Sequence, residues 1–183
     1  AMIAARKLEE VRVYDLNFER TKDFAARMQE ELKDYGTRIV AVETSDAAID
    51  DADLLITVTP SSKPVFDGTK IKKGATISCV GAYQHHMQEM DPAILPRASK
   101  IYFDSEDAVL SESGDILIPL EEGIITKDDL QETWQCHQGE LVGRENDDEI
   151  IVFETVGVAT QDLVAAREIY DKAVKAGVGT EWN

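Results

Sequence analysis

The sequence predicts an open, doubly wound α/β sheet, mostly parallel, and three observations predict it. Short apolar runs of strand length alternate with stretches in which apolar residues recur at helical spacing. Several of those runs, such as Leu54-Leu55-Ile56-Thr57-Val58 and Ala75-Thr76-Ile77-Ser78-Cys79-Val80, are near-continuous, as in parallel strands covered by helices on both faces. The length of 183 residues, with 43% hydrophobic and 30% charged, is that of one globular domain of ordinary size.

The elements follow in order. Ala1-Met2-Ile3-Ala4-Ala5-Arg6-Lys7-Leu8 is a helix former without a convincing N-cap. Val11-Arg12-Val13-Tyr14-Asp15 is the first strand. Phe18, Phe24, Ala25, Met28 and Leu32 mark a helix, and Gly36 suits its C-terminal cap. Ile39 to Val42 is a second strand, and Ser45 is placed to cap a short helix through Ile49. Leu54–Val58 and Ala75–Val80 are the third and fourth strands, Ile101-Tyr102-Phe103 the fifth and Ile150-Ile151-Val152-Phe153 the sixth. Helices are expected over about 91–98, 127–142 and 160–176, the last carrying a packing stripe of Leu163, Ala166, Ile169 and Ala173. No internal repeat and no Pro/Gly/Ser linker divides the chain.

Composition narrows the partners. Lys plus Arg is 19 and Asp plus Glu 36, a net charge of −17, which disfavours nucleic-acid backbones and anionic membranes because binding either needs clustered cations. No apolar run approaches the ~20 residues of a bilayer span, and the N-terminus lacks a signal-peptide pattern. Cys79 and Cys136 make no disulfide framework, so a reducing, cytoplasmic setting is expected.

Asp15 ends the first strand. In dinucleotide-binding folds an acidic residue at a strand end accepts hydrogen bonds from the adenosine ribose and repels a 2′-phosphate, favouring NAD over NADP. Taken alone, a strand-end aspartate is as readily a solvated turn residue. The Gly-rich phosphate loop belongs about 20 residues before such an acid, which falls upstream of residue 1, and Gly36, Gly68, Gly74 and Gly81 are isolated. The expectation is therefore a sheet lacking its first strand and Gly-rich loop, with weak or absent NAD binding by these residues alone. A sheet edge and apolar surface left uncovered would favour self-association.

Four segments carry a family resemblance: Asp53-Leu54-Leu55-Ile56-Thr57-Val58-Thr59-Pro60-Ser61-Ser62-Lys63-Pro64-Val65; Lys73-Gly74-Ala75-Thr76-Ile77-Ser78-Cys79-Val80-Gly81-Ala82; Met87-Gln88-Glu89-Met90-Asp91; and Phe153-Glu154-Thr155-Val156-Gly157-Val158-Ala159-Thr160-Gln161-Asp162-Leu163. In order and spacing the chain resembles the ornithine cyclodeaminase/mu-crystallin family. The resemblance implies a Rossmann domain, here residues 1–157 in part, and a C-terminal helix, 158–183, packing toward a substrate and dimerisation domain built mainly from sequence before residue 1. It implies an NAD-dependent enzyme acting by hydride transfer at the α-carbon of an amino acid, its cyclic imine or its keto acid, as reductase, dehydrogenase or cyclodeaminase, and working as a homodimer. The alternative is a non-catalytic dinucleotide- or small-ligand-binding protein of the mu-crystallin type.

By the same resemblance Asp15 matches the ribose-binding acid and Thr59 a cofactor-contacting threonine. Val80, Gly81, Ala82 and Tyr83 match the loop under the nicotinamide, where glycine lets backbone approach the ring. Thr155 matches the turn beside the nicotinamide, and Val156 a substrate-binding position. Read singly, Thr59 and Thr155 are explained by β-propensity and Gly81 by an ordinary turn. Tyr83 departs from the pattern: cyclodeaminases and alanine dehydrogenases of the family carry an aspartate there as acid/base partner of the substrate amine. Tyrosine, with a reference pKa of roughly 10, is poorly suited to that task at neutral pH, so ornithine cyclodeamination fits less well than reduction of an imine or keto acid. Met87 likewise stands where some cyclodeaminases have lysine. No catalytic residue is assigned.

Other constellations yield less. His85, His86 and His137 lack metal-ligand spacing, and no metal site is expected, although His85 or His86 would border the nicotinamide. Asp50/Asp51, Asp128/Asp129 and Asp147/Asp148 read as solvated turns and helix ends. Ser61-Ser62 lacks the glycines of a nucleophile elbow, and Cys79 reads as core.

Overall fold

The fold was analysed on a computed structural model, which describes residues 2–180 and Trp182. Among the described residues seven strands and seven α-helices follow one another, mostly in alternation. Helix α1 (Met2–Ala5) precedes β1 (Glu10–Val13), followed by α2 (Phe18–Glu31), β2 (Arg38–Ala41), α3 (Ser45–Ile49), β3 (Leu54–Thr57) and β4 (Thr76–Cys79). Then come β5 (Lys100–Phe103), α4 (Glu106–Glu112), α5 (Gly114–Glu121), β6 (Leu130–Glu132), α6 (Thr133–Gln138), β7 (Ile151–Glu154) and α7 (Ala159–Ala176).

Every strand pairing is parallel, as the apolar runs predict. Five strands form one sheet in the order β3-β4-β7-β5-β6, and β1 and β2 form a separate pair. The register aligns Thr57 with Cys79, Cys79 with Glu154 and Glu154 with Phe103, so the last residues of four adjacent strands make one row across the sheet. The core lies on this larger sheet. Ile77, Val152, Ile94, Val109 and Ile116 are wholly buried, and Ile101, Phe103, Ile71 and Leu95 nearly so. Burial of this apolar surface is the main favourable term in forming the layer.

Local signals explain the helix boundaries. The Asn17 side chain accepts the Arg20 N–H (3.1 Å) and starts α2. Gly36 ends the following 3-10 turn in the left-handed conformation (φ 69°). Gln29 then ties α2 to β2, donating to the Thr37 carbonyl and accepting from the Ile39 N–H. The cap of α3 is Thr44, one residue before the expected Ser45, because it is the Thr44 hydroxyl that reaches the Ala47 N–H.

Three expectations need correction. The segment 127–142 is not one helix: a capping box closes Thr126 onto Asp129, and Leu130–Glu132 then pairs with β5, so sheet pairing overrides helical spacing. Helices α4 and α5 were not expected, since Gly114 opens and Pro119 interrupts the second of them. Gly114 sits there because a Cβ would collide with the backbone carbonyls of Met87 and His85. Finally, the near-continuous run of β3 is not buried throughout. Ile56 is 48% and Val58 67% exposed, because β3 has β4 as its single strand neighbour.

Candidate functional site

In a parallel sheet the crevice beyond the carboxyl ends of the strands is where ligands bind. Here the strand order sets Thr59 (after β3), Val80-Gly81-Ala82-Tyr83 (after β4), Thr155-Val156 (after β7) and Asp104 (after β5) side by side along that edge. The family-matched residues of three separate sequence segments are thus neighbours in the fold, with Asp104 beside them. Thr59 is half-buried and its hydroxyl accepts from the Ser61 N–H. Val80 and Tyr83 are exposed, Ala82 is buried, and Val156 is half-buried against the core.

The floor beneath this edge is acidic and dry. Glu89, fully buried, accepts the Thr59 N–H through Oε1 and the Gly81 N–H through Oε2, the latter at 2.7 Å. Its own N–H and that of Met90 donate to Asp115 Oδ1 at 2.7 and 2.8 Å. Asp115, in the first turn of α5, is fully buried too. Glu154, at the end of β7, accepts the Ser113 hydroxyl at 2.7 Å. Among the described residues Asp115 Oδ2 and Glu154 Oε2 have no hydrogen-bond partner.

Burial sets the charge of this group. It pushes the Asp115 carboxyl up to about 6, against the backbone hydrogen bonds that pull it down. It holds Glu154 well above the usual carboxylate range, with the nearby Asp115 charge adding to the effect, and pushes the Cys79 thiol up as well. Cys79, Asp115 and Glu154 bring one ligand-type atom each within 4.8 Å of one another, a grouping that no sequence spacing announces. Metal ligation requires deprotonated ligands, whereas burial favours the protonated forms of Cys79 and Glu154.

The structure gives Gly81 a reason of its own for being glycine. A Cβ there would run into the backbone of Thr59 and the Glu89 carboxylate. The small residue is needed where the β3 and β4 edges close onto Glu89. Thr155 is anchored as well: its hydroxyl donates to Asp104 Oδ2 and accepts the Gly157 N–H (3.1 Å). Asp104 and Glu89 are the site residues that sequence reasoning missed. Asp104 follows an apolar strand, the same signal that singled out Asp15. Glu89 gave only an acid between two methionines.

Asp15 lies beyond the end of β1, on the smaller pair of strands. It accepts the Asn17 N–H (2.9 Å) and pairs with Arg20 at 2.5 Å, and these contacts hold its carboxyl below the usual range. Its side chain is one-third exposed. His85 and His86 are exposed, with His85 Nε2 3.1 Å from a Glu121 carboxylate oxygen. The His137 side chain lies outside the described residues.

Comparison with known proteins places the chain as a whole. A profile of the ornithine cyclodeaminase/mu-crystallin family matches residues 1–177. A Delta(1)-pyrroline-2-carboxylate reductase of Bacillus cereus is 37% identical over 98% of the chain, and the mouse ketimine reductase mu-crystallin 31% identical over 89%. The match spans 54% of the first protein's length and 47% of the second's, so the chain covers about half of the curated relatives it matches. The structure of a Thermococcus litoralis Delta(1)-pyrroline-2-carboxylate reductase in complex with NADH and L-proline superposes with a TM-score of 0.92 and 36% identity, over 99% of this chain and 55% of that one. The chain belongs to the ornithine cyclodeaminase/mu-crystallin family.

Proposed function

We propose that the protein carrying this chain is an NAD-dependent reductase of a small cyclic imine or keto acid, and that this chain supplies most of its dinucleotide-binding half. One observation carries the reading. The residues matched to the nicotinamide end of the family's cofactor site (Thr59, Val80 to Tyr83, Thr155) stand together along one sheet edge, in a chain that superposes almost entirely on a reductase solved with NADH and L-proline.

When bound, NADH supplies the hydride for the imine carbon, which with one proton from solution or a neighbouring acid gives the amino acid and NAD+. The chain's own residues bind and orient. Asp15 is placed to accept the adenosine ribose hydroxyls, and its fixed negative charge favours NAD over NADP. To do so it must exchange or share its contact with Arg20. Thr59, Val80, Gly81, Ala82 and Tyr83 line the nicotinamide end, with Thr155 beside it and Val156 toward the substrate. Tyr83, half-exposed, is a hydrogen-bond donor rather than a base. That favours a reductase over a cyclodeaminase, which needs a base for the substrate amine.

The uncovered surfaces support a larger protein around this half. Helix α7 has no buried residue, and Leu163, Val164, Ile169, Tyr170 and Val174 are all more than 60% exposed. An apolar helix face of this size belongs in an interface, so residues 158–183 are read as packing on a substrate and dimerisation domain, apart from residues 1–157. Among the described residues β1 and β3 each have a strand partner on one side alone. Among the described residues no helix is long and apolar enough to cross a membrane. Both cysteines are free, as in a cytoplasmic enzyme.

The test is NADH oxidation by the full-length protein with Delta(1)-pyrroline-2-carboxylate and other cyclic imines or keto acids. Turnover with at least one of them, faster with NADH than with NADPH, is expected. Tight NADH binding without turnover on any of them would instead favour the non-catalytic, mu-crystallin-type reading, which Tyr83 keeps open.

A further inference from the structure

We propose that Glu89 is a positioning residue for the nicotinamide: its buried carboxylate clasps the loops after β3 and β4 and fixes the cofactor-facing backbone before the cofactor arrives. The proposal rests on the reductase reading above and concerns how its site is held.

The geometry is specific. Each oxygen of one carboxylate takes a backbone N–H from a different strand edge, Thr59 from one and Gly81 from the other. Both loops are otherwise exposed at their tips: Val58 is 67%, Val80 39% and Tyr83 50% accessible. A backbone N–H at such an edge would ordinarily turn to water or to a ligand. Here two are turned inward and satisfied, which fixes the backbone path of both segments. No other residue type suits the place. Glutamine would present an N–H2 to one of two donors, and a side chain at position 81 would force the edges apart.

The clasp is itself held rigidly. Asp115 accepts the N–H groups of Glu89 and Met90, which locks the Glu89 backbone. Ser113, just before α5, is tied to Glu154 on β7. The chain of contacts therefore runs from the end of β7, through the start of α5, to the loops after β3 and β4. Because among the described residues no lysine or arginine bonds to these acids, a full set of charges would be costly. Burial favours the protonated form of Glu154, within 4.8 Å of Asp115, which reduces that cost. Preorganisation of this kind is what holds a reacting carbon and a hydride donor in register.

The test uses the full-length protein, wild type and Glu89→Gln. In the wild type without cofactor, the amide protons of Thr59 and Gly81 are expected to resist hydrogen exchange as strongly as those inside β4. In Glu89→Gln their exchange accelerates at least tenfold while that of Ile77 is unchanged, NADH affinity falls at least tenfold, and kcat falls further than the imine KM rises. Wild-type protection of Thr59 and Gly81 that appears only when NADH is added would overturn the proposal, and this measurement needs no variant to fold. Exposed amides in Glu89→Gln with unchanged NADH affinity and kcat would overturn it too. If the wild type binds no NADH while its two amides are protected, the reductase reading fails and takes the positioning role with it. If the wild type binds and turns over normally but Glu89→Gln matches it, the clasp alone fails.

Discussion

Two carboxylates are tied to the same candidate cofactor site in opposite ways. Asp15, on the two-stranded pair, is one-third exposed, pairs with an exposed arginine, and has its carboxyl held below the usual range. Glu89, under the five-stranded sheet, is sealed from water and bonded to backbone. The difference teaches where function resides in such an edge. A carboxylate that is to meet a ribose must be reachable and must exchange partners cheaply, and surface ion pairs are cheap to break. A carboxylate that is to shape a loop must have no competing partner, and burial removes water as one.

The largest expected effect breaks the buried side of this comparison. Gly81→Ala places a methyl against the Thr59 backbone and the Glu89 carboxylate, so stability should fall by about 3 kcal/mol, the upper part of the range for overpacking. Chemical denaturation with far-UV circular dichroism measures it. A change below about 0.5 kcal/mol would mean that the two edges have slack.

Next comes pH. Burial raises the Asp115 carboxyl from 3.8 to about 6 on folding. The folded state therefore holds that proton more tightly than the unfolded chain. The contribution is complete below pH 3.8 and is lost as pH rises through about 6. Asp115→Asn keeps an oxygen for the Glu89 and Met90 N–H groups and removes the titration. Its stability relative to wild type should rise by about 3 kcal/mol between pH 4 and 6.5 and then level off. A flat difference across that window would contradict the burial argument.

The exposed side gives a smaller effect on a different observable. Asp15→Ala should weaken NADH binding by about 2 kcal/mol, roughly 30-fold, the scale of hydrogen bonds to a charged group. NADPH binding should change little or improve. Equal losses for both dinucleotides would remove Asp15 from cofactor choice. The smallest expected effect is at the loop tip: His85→Ala breaks only an exposed contact with Glu121, and turnover should stay within about twofold of wild type.

The parallel α/β layer was legible because β4, β5 and β7 are apolar enough to demand cover on both faces, as Ile77, Ile101 and Val152 show. Helix α5 was not, because Gly114 and Pro119 oppose helix formation locally and the fold holds them there by packing. The same limit applies to the site. Asp15 stands out at a strand end, whereas Thr59 and Thr155 are singled out through the family resemblance. Glu89 and Asp115 act across 26 residues of sequence, and no local pattern reports that distance. Where a buried polar group finds its partners in remote backbone, only the tertiary structure reveals the role.

The central claim is that this sheet edge receives NAD with Asp15 at the adenosine ribose. A crystal structure of the full-length protein with NADH tests it most directly. The expected result places an Asp15 carboxylate oxygen within hydrogen-bond distance of a ribose hydroxyl and the nicotinamide against Gly81 and Thr155. A dinucleotide bound elsewhere, with Asp15 still closed onto Arg20, would contradict it.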